Sequence, residues 1–80
     1  MEEQTSEQIA QHYKAMGDSV SLINAIIAGD GNIAEEDKHD CVDRNVRHLE
    51  IMRAKDFWTT ESFTDVDKAI VDGTNYLSNH

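Results

Sequence analysis

Glu35, Glu36, Asp37, His39, Asp40, Cys41 and Asp43 form the densest group of side chains in this chain that could ligate a metal or move a proton. Density alone does not make a site. A structural zinc site closes with four cysteine or histidine ligands, and a carboxylate-bridged metal pair draws Glu-x-x-His motifs from more than one helix. Neither pattern is present in the sequence. The run is better explained as the solvated, acidic start of a helix, with His39 and Asp43 one turn apart as a surface pair worth only a fraction of a kcal/mol. Asp30-Gly31-Asn32 resembles the opening of a calcium loop, but an EF-hand loop needs glycine sixth and glutamate twelfth, where this chain has Glu35 and Cys41.

Nucleophilic chemistry fares no better. Helical spacing sets Cys41 apart from both His39 and His48, and acidic neighbours disfavour a thiolate, so Cys41 is expected to be a quiet, partly buried residue. Glycine-rich phosphate loops, nucleophile elbows and paired cysteine motifs do not occur. His12 falls on an apolar stripe, where a hydrogen-bonded histidine at the rim of a core or interface is commoner than a catalytic base. No catalytic, cofactor-binding or metal-binding residue is expected, and the chain is not read as an enzyme.

The elements that position these residues are helical. Ile9, Tyr13, Met16, Val20, Ile23 and Ile27 alternate by four and three, which places them on one stripe of a helix over residues 6–28. Leu22 and Ile26 widen that stripe, so its C-terminal end should meet two neighbours. Residues 1–4 read as an acidic lead, Thr5 or Ser6 as the N-cap, and Glu7 as favourable beside the positive end of the dipole. Gly17 costs about 1 kcal/mol relative to alanine inside a helix and is expected to mark a close crossing. Gly29-Asp30-Gly31-Asn32 is a turn in which Gly29 suits the left-handed C-terminal cap and Asn32 with Glu35 can form a capping box.

A second helix is expected over residues 33–55, with Val42, Val46 and Leu49 on its core face, flanked by Met52 and Cys41. Acids fill its first half, while Arg44, Arg47, Arg53 and Lys55 fill the second, the order the helix dipole favours. Asp56-Phe57-Trp58-Thr59-Thr60 reads as a turn whose aromatics plug the end of the core. A third helix over residues 61–78 presents Phe63, Val66, Ile70 and Leu77, with Ala69 and Gly73 as small residues alongside. The expected fold is all-α: residues 1–80 as a single three-helix domain with short turns, assembling as a helical dimer.

Length and charge narrow the partners. An 80-residue chain leaves much of its surface in water and gains only a modest surplus from its core, so self-association is a common remedy. Its 16 acidic against 7 basic side chains give a net charge of −9, which disfavours direct binding to nucleic acid. The longest apolar stretch, Ala25-Ile26-Ile27-Ala28, is far short of the ~20 residues of a membrane span. The acidic start lacks a basic signal-peptide region, and a lone cysteine needs no oxidising compartment, so a cytoplasmic protein without membrane contact is expected.

Two surfaces are candidates for contact. On the first helix, Tyr13, Val20, Ile23 and Ile27 form a seam suited to a second copy. On the back of the second helix, Ile51 lies opposite the core stripe, and Arg44, Arg47, His48 and Lys55 are assigned to the same cationic, partly apolar patch, which a protein partner or a second copy's acidic segment would complement. The favoured function is therefore a small acidic interaction protein that self-associates through apolar helix faces. The alternative is an acidic inhibitor or nucleic-acid mimic that binds a basic protein, though Arg44 to Lys55 interrupt the acidic surface such a mimic needs. Residues Asp43-Arg44-Asn45-Val46-Arg47-His48-Leu49-Glu50-Ile51-Met52 and Ala54-Lys55-Asp56-Phe57-Trp58, about a fifth of the chain, resemble small proteins of marine bacterial viruses that have no assigned activity. The resemblance implies a cytoplasmic role during infection and assigns no residue a function.

Overall fold

A computed structural model describes residues 5–29, 32–59 and 61–79. Three helices account for most of them: α1 (Ser6–Ile27), α2 (Glu35–Arg53) and α3 (Thr64–Asn79), with no strand among the described residues. The expected lead over residues 1–4, the Asp30-Gly31 part of the first turn and Thr60 lie outside the described residues.

Local chemistry sets each boundary. Thr5 is the N-cap of α1: its hydroxyl accepts from the Gln8 N–H at 3.1 Å, and the Gln8 side chain accepts from the Thr5 N–H at 3.0 Å. Two otherwise unpaired donors are thereby satisfied. At the other end Gly29 takes φ 94° and donates to the Ile26 carbonyl at 3.0 Å, so α1 stops one residue before the expected end. The expected Asn32–Glu35 capping box is not what starts α2. Its N-cap is Ala34, which has no side chain able to cap, and Glu35 instead pairs with Lys38 at 3.0 Å.

The helix ends around the second turn also shift for a reason. Trp58 Nε1 donates to the Met52 carbonyl at 2.8 Å, and Lys55 N–H reaches the same oxygen at 3.1 Å, so α2 ends at Arg53 rather than at 55. The Ser62 carbonyl accepts from the Tyr13 hydroxyl at 2.6 Å, and Phe63 turns into an aromatic cluster, which leaves α3 to begin at Thr64 rather than at 61. The plug expected of Phe57-Trp58 is present. Trp58 sits edge-on to Tyr13, Phe57 and Phe63, and His12 stacks on Phe57 with ring centroids 5.6 Å apart.

The chain runs up, down and up. Tyr13 in the first half of α1 meets Ser62 just before α3, Ile27 lies beside Tyr76 and Asn79 at the helix ends, and Arg53 at the end of α2 pairs with Asp67 early in α3 at 3.2 Å. Met16, Ile23, Ile26, Val42, Val46, Leu49, Val66 and Ala69 fill the space between them, with Val20, Met52, Trp58, Phe63, Ile70 and Leu77 packed at its margin. Burying such side chains is the main term holding a small fold together, at about 25 cal/mol per Å² of apolar surface.

One glycine expectation is reversed. A Cβ placed on Gly17 would meet nothing within 4 Å, so no crossing explains that residue. Gly73 occupies the close crossing instead: a Cβ there would come 2.5 Å from Val46 Cγ2 and 3.4 Å from both Ile23 Cγ2 and Val42 Cγ1. All three helices converge on that point.

Candidate functional site

The core takes one residue of the first candidate surface outright. Ile23 is 0% exposed between the three helices and is corrected from an interface residue to a core residue. Val20 is half-buried against the same core, and Tyr13 is committed through its hydroxyl to Ser62 and through its ring to Trp58 and Phe63. Ile27 remains 43% exposed, beside Asp72, Asn75, Tyr76 and Asn79 of α3. Leu22 is exposed as well, so part of the apolar surface of α1 stays in water.

The outer face of α2 differs. Lys38, Val42, Val46 and Leu49 turn inward, so the residues half a turn away point to water. Ile51 is 61% exposed there, the most exposed large apolar side chain among the described residues. Arg47 and Arg44 lie one and two turns before it and are exposed, and Lys55 follows just past the helix end, also exposed. Arg47 contacts Asp43 at 3.2 Å through an exposed pair that leaves its guanidinium largely in water. His48 does not belong to this patch: its Nδ1 lies 2.8 Å from the Ser19 hydroxyl, which turns the ring toward α1. That contact spans 29 positions in sequence and no local pattern announces it.

The N-terminal half of the same face is acidic. Asp37 and Asp40 are exposed on it, and together with Arg44 and the half-buried Ile33 they line one shallow depression that also reaches Cys41 and Asp43. Cys41 is half-buried, and Asn45 Nδ2 donates to its carbonyl at 2.7 Å. Among the described residues no group of three or more His, Cys, Asp or Glu is arranged to hold a metal ion.

Two polar features escaped the sequence. Lys38 is only 9% exposed, because it faces the core side of α2 and reaches back to Glu35. Arg53, read simply as a favourable charge at a helix end, lies with its guanidinium carbon 4.2 Å from the centre of the Phe63 ring and also pairs with Asp67. Its position fourteen residues before Asp67 gave no local signal.

Fold and surface together define a class: an all-α three-helix protein whose second helix carries an exposed, charge-sorted outer face, and in which no described helix is long and apolar enough to cross a membrane. Beyond that class comparison adds no relative, since no family model, no curated protein and no solved structure matches the chain.

Proposed function

We propose that this chain is a small interaction protein that self-associates, and that the outer face of α2 is its contact surface. The observation that carries the reading is Ile51, 61% exposed among Arg44, Arg47 and Lys55 on a chain of net charge −9. Long-range repulsion between two such chains opposes association, so a contact surface needs local complementarity, and the acidic start of α2 supplies it beside the basic patch. The reading gives the protein no catalytic step. It places the protein in the cytoplasm, supported by a lone, half-buried Cys41 that needs no oxidising surroundings.

The mimic reading is weaker because cations are interleaved with the acids of α3. Arg53 lies beside Asp67 and Lys68 beside Asp72, which sets positive charge within the row of carboxylates a phosphate-like surface requires. The test of self-association is mass in solution by size-exclusion chromatography with light scattering over a wide range of protein concentration. The expected result is a rise from 9.0 kDa toward twice that value as concentration increases, and a loss of that rise in Ile51→Asp. A mass that stays at 9.0 kDa at every concentration overturns the reading.

A further inference from the structure

The outer face of α2 is complementary to itself when turned end for end. Asp37, Asp40, Arg44, Arg47 and Ile51 follow one another at alternating spacings of three and four, which keeps them on one stripe opposite Val42, Val46 and Leu49. Ile33 precedes the helix and packs partly against the core, while lining the same depression as Asp37, Asp40 and Arg44. From Asp37 to Arg47 the spacing reads the same in both directions, whereas the charges exchange sign on reversal.

Resting on the self-association reading, we propose that two copies pair through α2, antiparallel about a two-fold axis at the level of Val42. In that register Asp37 meets Arg47 of the second copy and Asp40 meets its Arg44, each contact occurring twice by symmetry, and Ile51 falls toward the depression that Ile33 lines. Other alignments of the same face fail on charge. A parallel pair sets Asp37 against Asp37 and Arg44 against Arg44. Sliding the antiparallel pair by two turns in one direction brings Arg44 against Arg47, and in the other Asp37 against Asp40. Like charges placed opposite one another in this way are strongly disfavoured at an interface. The existing Arg47–Asp43 contact does not hold the guanidinium back, because Arg47 is 72% exposed and an exposed pair of this kind exchanges readily.

The test exchanges charges at the central pair. Asp40→Arg and Arg44→Asp each place two like-charge contacts at the centre of the dimer and are expected to weaken its dissociation constant by about tenfold or more. Mixing the two variants in equal amounts restores opposite charges in the mixed dimer, and the double variant D40R/R44D restores them in its own. Association should therefore return near its original strength in both cases, measured by sedimentation equilibrium, with far-UV circular dichroism confirming that each variant is helical. Both positions are exposed, so the fold is expected to tolerate the exchange. If the single variants associate as strongly as the parent chain, or the mixture fails to regain what they lose, the proposed register is overturned while self-association through another face stands. If the parent chain is monomeric throughout, the register and the reading beneath it fail together.

Discussion

Two glycines of the same type play opposite parts in this molecule. Gly73 faces the crossing of all three helices, where Val46 Cγ2 already occupies the place of a Cβ, so Gly73→Ala must push the core apart. The expected cost is about 1–3 kcal/mol, the usual range for overpacking. Gly17 has open space at the corresponding point, and Gly17→Ala is expected to stabilise by up to about 1 kcal/mol through helix propensity and a less flexible unfolded chain. Urea denaturation of the two variants against the parent chain checks both signs. Spacing showed that Gly73 runs alongside the Val66–Ile70 face, but it did not show how near α2 comes to it. The Ser19–His48 bond was equally hidden, because both partners look like surface residues until the helices are packed.

At the scale of the element, periodicity was sufficient to locate all three helices and the inward faces of α2 and α3, since apolar side chains at helical spacing have only one way to leave water together. Boundaries were harder to read because they depend on partners far away in sequence. The Tyr13 hydroxyl claims the Ser62 carbonyl and Trp58 claims the Met52 carbonyl, and both shorten helices relative to their apolar pattern. The start of α2 is the element's weak point. Ala34 holds the N-cap position at φ −59° and ψ 138° without a side-chain hydrogen bond. Ala34→Ser is expected to supply the missing acceptor and stabilise the protein by about 1 kcal/mol, visible as a raised urea midpoint. An unchanged midpoint would mean that backbone and solvent already satisfy those N–H groups.

For the whole molecule, the candidate site was partly legible. Ile51 and its arginines stood out as a cationic, partly apolar patch on an acidic chain, whereas the seam read on the first helix is divided, Ile23 going to the core while Tyr13 and Ile27 stay exposed. The difference is one of geometry: the same four-three spacing serves an internal core and an external joint, and packing alone decides between them. A core this small also links assembly to stability, because a partner that binds only the folded state raises the unfolding midpoint by mass action. The thermal midpoint is therefore expected to climb with protein concentration in the parent chain and to stay flat in Ile51→Asp. A flat midpoint in both would separate folding from association altogether.

Lys38 gives the molecule a built-in chemical reporter. Its side chain is 11% exposed, against 80% for Lys14 and 73% for Lys68, and Lys55 is exposed too, so an amine-reactive acylating reagent meets four lysines in two very different settings. In the folded chain Lys14, Lys55 and Lys68 are modified first, and the label reaches Lys38 only as quickly as the first turn of α2 lifts away from the core. Mass spectrometry of that single site would time the opening of the helix that carries the proposed contact, without any substitution in the protein.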